Sequence, residues 1–216
     1  MPLDHFVTLG RSGLKVSPLC LGAMTFGEEF GFGSNLATSK QIVRNCEESL
    51  RAVNDLVHSG KVRYIGFSDT PAWRVAQALM LALARGWARL IALQIEYSLL
   101  EQTVEGELIP VAREFGLGVT PWSPLRSGFL SGKYSRTNTQ AASADRAAWI
   151  QRNYHEQGFR VIDALASVAQ AAGTTPARCA LAWVCARPGV SSPIIGARTV
   201  QQLDENLAAL EVRLTP

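Results

Sequence analysis

The 216-residue sequence predicts an α/β fold of the (β/α)8, TIM-barrel type, incomplete at about five of the eight barrel strands, with an N-terminal β-hairpin. Three observations carry this reading. Apolar runs of about four to six residues alternate with amphipathic stretches, as in parallel βα units buried on both faces. No G-x-G-x-x-G follows the first strand, which argues against an open dinucleotide-binding sheet. Barrel-strand signals lie near residues 18–22, 62–67, 90–95, 118–122 and 193–196, whereas a closed barrel needs eight strands and typically ~250 residues. Residues 1–216 read as one domain.

The elements follow in order. Residues 6–9 and 14–21 read as extended segments joined by Gly10-Arg11-Ser12-Gly13, where glycine accepts positive φ. A glycine-rich loop over 22–34 leads to a helix from Ser39, the expected N-cap, to Gly60, the expected stop. Ile42, Cys46, Leu50, Val53 and Val57 share one face of it. A strand over 62–67 ends in Ser68-Asp69-Thr70, and Pro71 opens a helix to about Arg85. Strand 90–95, helix 104–115 and strand 118–122 repeat the alternation, and a polar loop is expected over 131–147. Helices near 158–172 and 175–186, parted by Gly173 with Thr174 or Thr175 as cap, precede a strand at 193–196 and a helix at 199–209.

Composition narrows the function classes. The chain is 47% hydrophobic and 18% charged, enough for one sizeable core. Its net charge of +3 is spread without basic runs, so nothing points to nucleic acid. Cys20, Cys46, Cys179 and Cys185 form no CxxC pair, and with three scattered histidines no metal-ligand spacing arises. They read as buried free thiols. The opening residues carry no signal-peptide pattern and no apolar run reaches about 18 residues, so no membrane span is expected and the cytoplasm is the expected setting.

Several segments together resemble the aldo-keto reductases, in the branch that includes potassium-channel β subunits and bacterial relatives. LGRSGLKVSPLCLGAMTFG is similar to that family's N-terminal hairpin and first strand. SGKVRYIGFSDTPAW resembles its fifth strand, LQIEYSLL its sixth and VTPWSPLRSGFLSGKY its seventh. SPIIGARTVQQLDENLAAL resembles the eighth strand and the closing helix. The likeness runs through nearly the whole chain, in family order.

The resemblance implies a nicotinamide cofactor, NADPH. Barrel function sits at the C-terminal strand ends, where Ser68, Asp69 and Gln94 fall. It implies that Ser68 and Gln94 bond the nicotinamide carboxamide, with Asp69 beside them. A carboxamide both donates and accepts, and Gln94 can answer both. Trp122, Ser123, Pro124 and Leu125 resemble the segment under the ring and along the pyrophosphate, with loop N–H groups and Lys133 meeting phosphate charge. Gly196 and Arg198 precede a helix N-terminus that favours an anion, and Arg198 suits the 2′-phosphate that separates NADPH from NADH. Gln202, Glu205 and Asn206 share the helix face that the family turns to the adenine end.

The family's proton donor is a Tyr assisted by a Lys and an Asp, with a His orienting substrate. None of the motifs holding those four occurs here, so no catalytic residue is assigned. Two internal blocks are absent, near 34–39 and near 51–52. Of the remaining phenols, Tyr97 is the best placed, but the EYSL motif makes it structural or ring-contacting. Tyr64 is expected inside a strand, and Tyr134 and Tyr154 in or beside the polar loop. Lys15, His58 and Lys61 are expected in turns. Three readings stay open. The sequence is part of an NADPH-dependent reductase of small-molecule aldehydes or ketones, or an internally deleted, catalytically inactive NADPH-binding remnant, or a regulatory protein resembling the channel β subunits. A barrel open at its edges invites pairing with a second copy.

Overall fold

A computed structural model describes residues 6–16, 18–21, 46–139 and 144–214. The expected Ser39 cap, the loop over 22–34 and the junction near 34–39 lie outside them. The chain opens with an antiparallel pair, β1 (Val7–Thr8) and β2 (Lys15–Val16), in the register Val7↔Val16. The extended run expected over 14–21 is two strands. Pro18 has no N–H to give a ladder, so the hairpin stops at Val16 and β3 (Cys20–Leu21) starts afresh as a barrel-type strand.

Three parallel strands follow side by side: β4 (Ile65–Ser68), β5 (Leu90–Gln94) and β6 (Gly118–Val119). The last strand, β7 (Ile194–Ile195), pairs in parallel with β3. Backbone bonds join the two groups. The Ser191 N–H donates to Val119 O at 2.8 Å and the Ile194 N–H to Pro121 O at 2.7 Å. The order is therefore β4-β5-β6-β7-β3, a parallel arc of five strands. Among the described residues the arc does not close, and β3 and β4 are its edges.

The hairpin covers the N-terminal end of this arc. The Arg11 N–H donates to Gly116 O at 2.7 Å. Gly10 is left-handed, φ +57, and a Cβ there would lie 2.4 Å from Gly116 O and from Gly118 N. Only glycine permits both the turn and the approach.

Helices pack outside the strands. α1 (Cys46–His58) runs unbroken through positions 51–52 and buries Leu50, with Val53 and Val57 packed on the same core. Gly60, φ +73, ends it as expected. α2 (Ala72–Arg85) begins one residue later than expected, since Pro71 sits at the cap position with extended ψ of 141°, and Gly86 closes it in αL. The helix expected over 104–115 is split into a 3-10 turn, Thr103–Glu105, and α3 (Leu108–Phe115), with Gly106 between. These helices and β4–β6 enclose a core of Ile65, Val75, Leu79, Leu93, Ile95 and Val119.

The polar loop expected over 131–147 is corrected at its end, where α4 (Ala144–Gln151) starts. Within this helix Ile150 is buried and gives the segment an apolar anchor, while Trp149 is exposed. α5 (Glu156–Ala171) and α6 (Pro176–Cys185) follow, and Thr175 caps α6 by accepting from the Arg178 N–H. α7 (Val200–Leu207) is capped by Thr199. Cys179 is buried and Cys185 half-buried, both as free thiols, and burial raises the pKa of each. No helix among the described residues is long and apolar enough to cross a membrane.

Candidate functional site

Parallel strands put all their C-terminal ends on one face, and there the backbone is unusual. Among the described residues, four non-glycine residues have left-handed φ: Asp69 (43°), Ser123 (53°), Arg126 (50°) and Ser127 (57°). Asp69 follows β4, and the other three lie in the loop after Trp122, beyond β6. Each costs roughly 1–2 kcal/mol and persists only where surroundings over-determine it. Such strain collects at ligand-holding sites.

Register brings Ser68 and Gln94 opposite each other, and both side chains are exposed. The Asp69 N–H donates to Gln94 O at 3.1 Å. The Asp69 carboxylate accepts the Trp122 indole N–H at 3.1 and 3.0 Å and the Glu96 N–H at 3.3 Å. Ser68, Asp69, Gln94 and Trp122 thus meet on three adjacent strand ends. The half-buried indole is held at its polar edge, leaving a ring of fixed orientation.

The loop after Trp122 is tied to itself and to the sheet. The Ser123 hydroxyl accepts from the Ser127 N–H at 3.1 Å, and the Ser123 carbonyl from the Arg126 N–H at 2.8 Å. Pro124 is buried and Leu125 half-buried against the core, while Phe129 and Leu130 are fully buried beyond them. Lys133 is exposed, and its carbonyl accepts from Asn138 Nδ2 at 3.0 Å.

Four residues of this face have no counterpart among the sequence-read candidates. The Arg126 guanidinium pairs with Glu96 and donates through Nε to Asn153 Oδ1 at 3.0 Å. Arg152 reaches the same Glu96 oxygen at 2.8 Å. Glu96 stands two residues after Gln94 in the motif LQIEYSLL, so its place at a strand end was the one available signal. Arg152 and Asn153 come from the far end of α4 and gave none. An open depression of about 350 Å³ lies beside these groups, between Asp69, Pro71, Glu96, Glu101 and Leu108.

The second cluster follows β7. Gly196 and Arg198 are exposed, at the N-terminal side of α7. Thr199 accepts the Gln202 N–H at 3.1 Å, and Gln202 folds back to accept the N–H of Arg198, one residue before the cap, at 2.8 Å, which together fix the turn. Glu205 turns to α6, where it pairs with Arg178 at 2.6 Å and accepts the Thr175 hydroxyl. The Thr175 bond, with Arg178 beside it, holds its carboxyl below the usual range. Asn206 is buried. The expected Gln202/Glu205/Asn206 face is therefore largely engaged within the protein.

The remaining phenols and bases take the following places. Tyr97 is 2% exposed, donates to Glu105 and meets Trp183 edge-on at 5.6 Å. Burial, then the Glu105 bond, pushes its pKa well above that of a free phenol. Tyr64 precedes β4 at the opposite end of the sheet, not inside a strand. Tyr134 and Tyr154 belong to an aromatic cluster around Phe129. His58 ends α1 and Lys15 lies in β2, neither in a turn, while Lys61 is in the bend after α1. Among the described residues no group of His, Cys, Asp and Glu is placed to hold a metal ion.

Comparison with known proteins identifies the family. The model of the Aldo/keto reductase family matches residues 36–216. An uncharacterized oxidoreductase of Bacillus subtilis, YrpG, is 39% identical over 168 residues, which is 78% of this chain and 50% of that protein. Versiconal hemiacetal acetate reductase of Aspergillus parasiticus is 33% identical over 79% of this chain and 50% of its own length. A probable voltage-gated potassium channel subunit beta of Oryza sativa is 36% identical over 79% of this chain and 54% of its own. The chain spans about half the length of the curated relatives it matches.

Proposed function

The chain belongs to the aldo/keto reductase family, and from that premise we propose that its strand-end face holds NADPH and that the whole protein reduces a small aldehyde or ketone to an alcohol. The observation that carries the reading is the left-handed strain at Asp69, Ser123, Arg126 and Ser127, gathered where the strands end. NADPH, when bound, supplies the hydride. Everything else is asked of this chain's residues.

Ser68 and Gln94 offer paired donors and acceptors to a carboxamide. Trp122, its edge held by Asp69, presents a ring face to a flat heterocycle. Ser123, Pro124 and Leu125 line the path of the pyrophosphate, and Lys133 faces its charge. Gly196 leaves room for the chain of phosphates, and Arg198 grips the 2′-phosphate. Gln202 positions Arg198, while Glu205 and Asn206 brace the helix at the adenine end. The residue chemistry fits an anionic dinucleotide.

A second reading, an inactive NADPH-binding or regulatory remnant, has its own observation. Every tyrosine of the chain is turned away from the strand-end face or engaged elsewhere, so no described phenol is placed to donate a proton there. Among the described residues the outer edges of β3 and β4 are also unpaired, and a second copy could fill them. We take the setting to be cytoplasmic.

The test joins an intact-mass measurement to an NADPH fluorescence titration. At the mass of 216 residues, saturable NADPH binding without carbonyl reduction is expected. Arg198→Ala should weaken NADPH by about tenfold or more and leave NADH unchanged. A folded protein that binds neither nucleotide sinks the reading. A heavier protein with turnover would restore the reductase and remove the remnant.

A further inference from the structure

We propose that Glu96 is a positioning residue of the strand-end site, whose carboxylate, held between the Arg126 and Arg152 guanidinium groups, locks the left-handed loop 123–128 against the end of β5. The inference rests on the cofactor reading above and deepens it.

Glu96 does two things at once. Its backbone N–H holds the Asp69 carboxylate that orients Trp122. Its side chain pairs with Arg126 and, at 2.8 Å, with Arg152. The Arg126 and Glu96 side chains are only 12% and 18% exposed, so water competes weakly for the pair. Arg126 is one of three left-handed non-glycine residues in this loop. The bonds among Ser123, Leu125, Arg126, Ser127 and Gly128 are local, and they shape the loop without attaching it to the sheet. Phe129 and Leu130 anchor its far end in the core. Pro124 and Leu125 pack the loop's first half on the core, and its polar attachment runs through the Arg126 side chain, to Glu96 on one side and Asn153 on the other. Glu101 stands at 3.7 Å, too far to replace Glu96 as a direct hydrogen-bond partner.

Charge alone predicts something different from a lock. The loop faces a polyanion in the cofactor reading. Removing the Glu96 charge would then tighten NADPH, and removing the Arg126 charge would loosen it. Loss of a lock loosens it in both cases.

The experiment compares Glu96→Gln and Arg126→Gln with the unaltered chain. Amide hydrogen exchange is followed across residues 123–131 without cofactor, and NADPH affinity is measured by fluorescence titration. Exchange about tenfold faster in both variants, with NADPH weakened in both by about tenfold, is the expected result. Unchanged exchange in this loop overturns the proposal, and so do affinity changes of opposite sign. If Glu96→Gln does not fold, Arg126→Gln breaks the same pair from the other side and is judged alone. If the unaltered chain fails to bind NADPH, the cofactor reading falls, while the exchange data still decide whether Glu96 holds the loop.

Discussion

The indole of Trp122 donates to both carboxylate oxygens of Asp69, at 3.1 and 3.0 Å, across 53 residues of sequence. The contact exists because β4, β5 and β6 are parallel and adjacent, so their C-terminal ends converge. It ties the far strand of the trio to the near one over the end of β5, and it sets the attitude of the Trp122 ring.

Replacing Asp69 separates its two duties. Asparagine tolerates the left-handed backbone and still accepts one hydrogen bond. Asp69→Asn should therefore cost about 1 kcal/mol, and Asp69→Ala roughly 2–3 kcal/mol, because alanine also strains at φ 43°. Urea unfolding measures both. Equal losses would mean that the backbone conformation contributes nothing.

Tyr97 should prove structural. Its hydroxyl is buried against Glu105 and its pKa is raised, the opposite of what a proton donor near neutral pH needs. Tyr97→Phe should cost about 1–3 kcal/mol of stability, since Glu105 loses a partner. Any carbonyl-reducing activity of the protein should survive the change. A fall in kcat of a hundredfold or more, at unchanged folding, would reinstate Tyr97 as the acid.

Glu205 makes stability depend on acid. Its carboxyl pKa is depressed in the folded protein, by the Thr175 hydroxyl first and Arg178 next. The contribution is fully present above the unfolded value of about 4.3 and is lost as pH falls through the lower folded value. The stability gap between the natural chain and Glu205→Gln should thus be constant above about pH 5.5 and shrink below about pH 4. Denaturant titrations at a series of pH values read it. A gap that stays constant down to pH 3 would mean that the carboxylate charge is not engaged.

Gly10 is where the hairpin meets the sheet. Gly10→Ala combines a left-handed backbone with a Cβ 2.4 Å from two backbone atoms, neither of which can swing aside. A loss of about 3 kcal/mol or more is expected by thermal or chemical unfolding, with the damage centred on Gly116 and Gly118. Gly13→Ala, also left-handed but with nothing within 4 Å, should cost only about 1 kcal/mol.

Much of the fold was legible from local chemistry. The helical stripe at Leu50, Val53 and Val57, the stop at Gly60, a helix end near Arg85, a cap at Thr174 or Thr175 and the apolar strands all follow from periodicity and turn residues acting within a few positions. Less legible were boundaries set by competition. Gly106 divides a helix whose apolar spacing is continuous, Pro18 ends a hairpin, and α4 emerges from a segment that reads as polar loop.

The candidate site divides in the same way. The residues at strand ends, Ser68, Asp69, Gln94, Trp122, Gly196 and Arg198, are determined by the sequence alone, because a strand's C-terminal end is a local fact and parallel strands share it. The partners are not. That Asp69 is taken up by Trp122, that Glu96 serves Arg126 and Arg152, and that Glu205 turns to Thr175 and Arg178 were decided only by the tertiary structure. Each is a contact between charged or polar groups 27 to 56 residues apart, and no spacing along the chain encodes which of several equivalent partners will arrive within hydrogen-bond distance.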